Sequence, residues 1–162
     1  MLMAEELSTI DMRILEQVQR DSTLSTSELA ERVGLSQSPC WRRLQKLKDD
    51  GYIRGEVALV DRSKLGPSLV IFATLKTSAA MGDMRAEFLR KIETIPEVLE
   101  CYSVFGERDL LMKVMAQSME WYHGFVFNII MKLPGVVDIQ STVTMSEMKY
   151  TTALPIRGSK AL

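Results

Sequence analysis

Apolar residues in the first fifty positions recur at three- and four-residue steps, the period of helices that bury one face. In LSTIDMRILEQVQRD, Ile10, Ile14, Leu15 and Val18 form such a stripe, and Ser8 with Asp11 three residues on is a capping box that starts it. Ser25 with Glu28 opens a second, short helix carrying Leu29, Ala30 and Val33, which Gly34 ends in a left-handed position. Ser36 caps a third helix, QSPCWRRLQKLKDD, with Pro39 in its first turn, where a missing amide donor costs little. Gly51 closes it. Three short helices with a tight glycine turn between the second and third predict a helix-turn-helix.

The pattern then changes. YIRGEVALVD predicts an extended segment and a hinge, and SLVIFATLKT, rich in β-branched and aromatic residues, a buried strand. DMRAEFLRKIETIP returns to helical spacing at Met84, Phe88, Leu89 and Ile92, and stops at Pro96. VLECYSVF and DLLMKVMAQ predict two strands joined by a turn at Gly106, Glu107 and Arg108. MEWYHGFVFNIIMKLPG predicts a second helix closed by Pro134 and Gly135, and VVDIQSTVTMSEMKY a last, alternating strand. The order β-α-β-β-α-β is the ferredoxin-like split βαβ unit. The expected fold is α+β, with a helix-turn-helix domain over residues 1–60 (the motif itself at 26–45), a hinge at 61–67 and a ferredoxin-like βαββαβ domain over 68–162.

On a wheel of the third helix, Cys40, Leu44 and Leu47 share the side that must face the other two helices. Opposite them lie Ser38, Arg42 and Gln45, with Lys46 at the flank, Gln37 at the helix start and Trp41 at the boundary. A solvated amphipathic helix would also be polar outside. Hydrogen-bonding groups beside cations after a tight turn nevertheless suit a major groove: Arg reads guanine, Gln reads adenine, and Ser and Lys hold phosphates. The candidate DNA-binding residues are therefore Gln37, Ser38, Trp41, Arg42, Gln45 and Lys46, and the candidate partner is double-stranded DNA.

Charge sharpens this. With 20 Lys and Arg against 21 Asp and Glu the chain has a net charge of −1, which excludes a polycationic tail binder. Between Ser36 and Arg54, however, five cations meet two anions, a local patch in a nearly neutral protein. Cys40, Cys101 and His123 are too few and too scattered for a structural zinc site or a nucleophilic triad, so neither a metal, nor a cofactor, nor a catalytic residue is expected. No apolar run approaches the roughly 20 residues of a membrane span. The acidic start lacks the pattern of a signal peptide, and a cytoplasmic location is expected.

ELAERVGLSQSPCWRRLQKLKDDGYIRGEVALVD, with its run LSQSPCWRRLQKL followed by GYI, resembles the helix-turn-helix of the Lrp/AsnC family of transcription regulators. GERDLLMKVM and MKYTTALPI resemble that family's ligand-sensing domain, and the likeness runs from Ser8 to Ile156, nearest to the leucine-responsive branch. The resemblance implies a winged helix-turn-helix domain, a ferredoxin-like sensing domain, dimers assembling into larger rings (commonly octamers), and an amino-acid effector such as leucine or methionine. It also implies an effector site built from Gly106, Glu107, Asp109, Gln140 and Thr142, between neighbouring dimers. Where the family turn often has an aromatic residue before the aspartate, this chain has Arg108, which bears on the side chain accepted.

The residues themselves are compatible with such a site. Alternation in the last strand sets Val137, Ile139, Val143 and Met145 on one face and Asp138, Gln140, Thr142, Thr144 and Ser146 on the other. A polar row is by default a solvated sheet edge, yet a free amino acid needs such donors and acceptors. The helix from Met119 to Lys132 is apolar nearly all round, which predicts a second subunit against it. Two other functions use parts of this pattern: an architectural DNA binder with little sequence preference, and the regulatory domain of an amino-acid enzyme. The absent catalytic set argues against the latter.

Overall fold

The computed structural model describes residues 7–79 and 81–156. The extreme ends of the two expected domains, and the acidic start, lie outside the described residues. The chain divides into two compact units, residues 60–148 and the flanking segments on either side of them.

In the first unit, α1 (Thr9–Val18), α2 (Thr26–Val33) and α3 (Gln37–Asp49) pack around Ile14, Leu15, Leu29, Ala30, Val33, Cys40 and Leu47, all buried. Both expected capping boxes form. The Ser8 and Ser25 hydroxyls accept from the amides of Asp11 and Glu28, whose carboxylates accept in return from the serine amides. Ser36 has the extended backbone of an N-cap, but its side chain makes no capping bond. Residues 54–60 carry no strand pairing among the described residues.

The tail departs from the expected 68–162 span, because residues 149–156 belong with the helices. The Gln19 side-chain amide donates to the Leu154 carbonyl and accepts from the Leu154 N–H, both at 2.8 Å, and so imitates a strand partner. Ile156 packs against the helical core. Part of the expected hinge is ordered in the second unit: Asp61 caps a short 3-10 turn, Arg62–Lys64, and Arg62 pairs with Glu147 at 3.3 Å.

The second unit is a four-stranded antiparallel sheet of order β2-β3-β1-β4, formed by β1 (Leu69–Thr77), β2 (Val98–Ser103), β3 (Leu110–Ala116) and β4 (Val136–Val143). Helices α4 (Met81–Glu93) and α5 (Met119–Asn128) complete the βαββαβ order. Ile71, Ala73, Leu75, Met112, Val114 and Ala116 form one sheet face, which is sealed by Phe88 and Ile92 of α4 and by Tyr122, Phe125 and Val126 of α5. Alternation turns Phe72, Thr74 and Lys76 to the other face, beside Thr142, Gln140 and Asp138 of β4.

Two boundaries and one register differ from what the sequence pattern predicts. Helix α5 stops at Asn128, because Ile129 leaves helical geometry (φ −120, ψ −65) and a 3-10 turn, Ile130–Lys132, buries Ile130. Strand β4 ends at Val143, one residue before the last rung that β1 can offer, Thr144 N–H to the Val70 carbonyl at 3.0 Å. Met145 and Ser146 thus fall beyond the alternation. A register shift between Lys76 and Thr77 also removes Val137 from the apolar face and leaves it 53% exposed.

Candidate functional site

Gly34 creates the turn that presents α3. It ends α2 at φ +74, ψ +37, a left-handed conformation that costs a side-chain-bearing residue about 1–2 kcal/mol. The Leu35 amide then reaches back to the Ala30 carbonyl at 2.9 Å, and Leu35 packs into the helical core. Cys40 and Leu47 are anchored in that core, with Leu44 beside them. Gln37, Ser38, Trp41, Arg42 and Lys46 consequently face solvent, with Gln45 half-buried among them.

The cations of α3 divide by what they touch. Arg43 donates to Asp11 Oδ1 at 2.9 Å and is turned toward α1, and Lys48 pairs with Glu56 at 2.9 Å. Burial alone would raise the Asp11 carboxyl, but the hydrogen bond from Ser8 and the Arg43 guanidinium outweigh it and hold it below its ordinary value. Arg42, one residue earlier, has no ion pair or hydrogen bond among the described residues and stands exposed beside Ser38. The first turn of α3 contains no acidic residue, and the Ser36 hydroxyl is left uncommitted by the cap. An amino end of this kind is electrostatically suited to a phosphate.

The second group of candidates is only partly assembled. Gly106, at φ +151, lies in the β2–β3 turn, where an added Cβ would meet nothing within 4 Å but the backbone disfavours any L side chain. Asp109 fastens that turn to the end of β1. Its Oδ2 accepts from the Thr77 amide at 2.7 Å and hydroxyl at 2.9 Å, and its Oδ1 accepts from Lys76 Nζ at 3.2 Å. These bonds, the Thr77 amide foremost, hold its carboxyl below the usual range. Both oxygens are therefore committed, and Asp109 serves the turn's geometry before it can serve any ligand. Glu107 contributes its carbonyl to the same lysine at 2.9 Å, while its side chain is exposed.

Arg108 bridges the turn to β4. Its guanidinium donates to Asp138 and approaches the Gln140 side-chain oxygen at 3.5 Å. Gln140 thereby joins the turn, whereas Thr142, opposite Phe72, shares no hydrogen bond with it among the described residues. Lys76, Thr77 and Asp138 are structural members of this cluster that the sequence did not single out as site residues. The pairing of β1 with β3 brings Lys76 and Thr77 to Asp109, and the register of β1 against β4 sets Asp138 beside Lys76. Two hollows lie elsewhere, one of about 520 Å³ along α5 and one of about 360 Å³ between α4 and β2, and neither is lined by these candidates.

No group of three His, Cys, Asp or Glu among the described residues could hold an ion. Cys40 and Cys101 are free thiols whose burial pushes them further from the reactive thiolate. His123 is exposed and lies against the Phe127 ring at 4.7 Å. No described helix is long and apolar enough to cross a membrane.

Residues 7–54 match the family described as winged helix-turn-helix DNA-binding, and residues 70–154 match the Lrp/AsnC ligand binding domain. The chain is 40% identical to the DNA-binding transcriptional activator DecR of Escherichia coli K12 over 93% of its own length and 99% of that protein's. It is 33% identical to the leucine-responsive regulatory protein of the same organism, over 94% and 93% of the two chains. A Neisseria meningitidis transcriptional regulator solved in complex with L-Met superposes with a TM-score of 0.86 at 36% identity, covering 92% of this chain and 96% of that one. These relatives are regulators of transcription, not enzymes. With both of its domains so matched, the chain belongs to the Lrp/AsnC family of DNA-binding transcriptional regulators, with an N-terminal helix-turn-helix and a C-terminal ligand-binding domain.

Proposed function

We propose that this regulator reads specific DNA sequences with the exposed face of α3 and that a free amino acid, leucine or methionine, tunes that binding. The observation that carries the DNA half is the division of the α3 cations: Arg43 and Lys48 are tied to carboxylates, while Arg42 stands free beside Gln37, Ser38, Trp41 and Gln45. Arg42 and the glutamines address base edges, Ser38 and Lys46 address phosphates, and two copies in a homodimer meet two half-sites.

The effector half places the amino acid at the turn of Gly106, Glu107 and Asp109, with Gln140 and Thr142 of β4 supplying polar partners. The hollows along α5 and between α4 and β2 are not lined by these residues, and in this reading a second dimer completes the site, in assemblies up to an octamer. The apolar choice is supported by a relative named for leucine response and another crystallised with L-Met. The amino acid acts by binding one assembly state more tightly than another, which changes DNA affinity by linkage. A regulator of this kind works in the cytoplasm, beside its DNA.

The test combines gel shifts on a selected duplex with light scattering, adding each of the twenty amino acids in turn. Leucine or methionine should shift affinity or assembly, and Gln140→Ala should lose that response while still binding DNA. No response to any amino acid, with DNA binding intact, would remove the effector half and leave an architectural binder. Asp109 is the wrong residue to remove, because its loss would release the turn whether or not a ligand binds there.

A further inference from the structure

Trp41 is the feature of α3 that a generic DNA-binding helix does not require. It lies 52% exposed on the outward face, with no hydrogen bond or ring contact among the described residues. Its neighbours one helical turn away on either side are Gln37 and Gln45, so the three side chains form one ridge with steps of about 6 Å. Beside that ridge runs a second, of Ser38, Arg42 and Lys46. Arg42 thus occupies one ridge, while the other is a large apolar ring between two carboxamides.

We propose that Trp41 reads the 5-methyl group of a thymine in the major groove, which makes the Gln37–Trp41–Gln45 ridge a reader of A·T pairs. The proposal rests on α3 being the DNA-reading helix. The argument is one of complementarity. The major groove displays two groups unique to an A·T pair, the adenine N7/N6 edge and the thymine methyl. A glutamine carboxamide matches the first in donor and acceptor, and an apolar side chain matches the second. Each 6 Å step along the ridge spans slightly under two base pairs of about 3.4 Å, so the three side chains address nearby but separate positions. An indole exposed in the free protein loses water on contact with the methyl, a gain available only at thymine. Asp49, near the wheel position of Arg42 but at the other end of α3, would meet phosphates unfavourably and confines close contact to the part of α3 that precedes its last turn.

The experiment removes the methyl group from the DNA and leaves the pairing intact. A high-affinity duplex is selected from a random library with the full-length protein and remade with each thymine singly replaced by uracil. At one position per half-site, uracil should weaken wild-type binding about fourfold, the equivalent of one buried methyl group. Trp41→Ala should bind the thymine and uracil duplexes equally at that position, while Trp41→Leu should keep part of the preference. Thermal melting of each variant checks that the exposed substitution leaves the fold intact. Uniform tolerance of uracil by the wild type, or an unchanged penalty in Trp41→Ala, would overturn the assignment even if Arg42→Ala abolishes binding. Unaltered affinity in Arg42→Ala would instead remove the α3 reading on which it rests.

Discussion

Two adjacent arginines on α3 offer a sharp test, because the structure gives them opposite tasks. Arg43 spans to Asp11 at 2.9 Å, with its side chain 43% exposed and that of Asp11 19% exposed. A partly exposed pair of this kind contributes about 0.5–1 kcal/mol, so Arg43→Ala should lower stability by that amount and the melting temperature of a unit this size by about 4 °C. Asp11 keeps its bonds to Ser8, so the capping box itself should survive. Arg42→Ala breaks no ion pair or hydrogen bond among the described residues and should leave stability within about 0.5 kcal/mol. Its loss should instead cost about 1–3 kcal/mol of DNA binding, a weakening of roughly five- to a hundred-and-fifty-fold. Gel shifts over a salt series then sort the contact. A phosphate contact removes about one unit of salt slope, whereas a base contact relaxes sequence preference at one position. If Arg43→Ala lost as much DNA affinity as Arg42→Ala while remaining equally stable, the division of tasks would be wrong.

Two further outcomes are expected. Gly34→Ala should destabilise the helical unit by about 1–2 kcal/mol through the left-handed backbone alone, since nothing lies within 4 Å of the new methyl, and Gly34→Asn should recover part of the loss in urea titration. Asp109, held below its ordinary value of 3.8 chiefly by the Thr77 amide, stabilises the folded chain above that value. That contribution disappears as pH falls through the depressed value, so melting temperature should drop at acid pH more steeply in the wild type than in Asp109→Asn, and equal slopes would count against the turn geometry.

The local features were legible because local chemistry fixes them. A serine and an acid three residues apart can satisfy each other's amides without help from the rest of the chain, and at Ser8 and Ser25 they do. Gly34 marks a left-handed stop, and the spacing of Cys40, Leu44 and Leu47 defines the inward side of α3, hence its outward side. The alternating and helical periods likewise yielded the βαββαβ order. Ser36 makes no capping bond, because the N3 position its hydroxyl would serve is Pro39, which has no N–H to donate.

What the sequence left open depended on register and on distant partners. Nothing near Arg42 and Arg43 distinguishes them. Only the packing of α1 against α3 brings Asp11 to one and leaves the other free. Asp109 reads from sequence as a ligand acceptor, but the pairing of β1 with β3 brings Thr77 and Lys76 to its oxygens and commits it to the turn. The tail follows β4 directly and reads as its continuation, until β1 runs out of partners and Gln19, 135 positions away, takes up the Leu154 peptide. Periodicity reports which side of an element is apolar. Which hydrogen-bonding group meets which is decided when elements far apart in the chain come into contact.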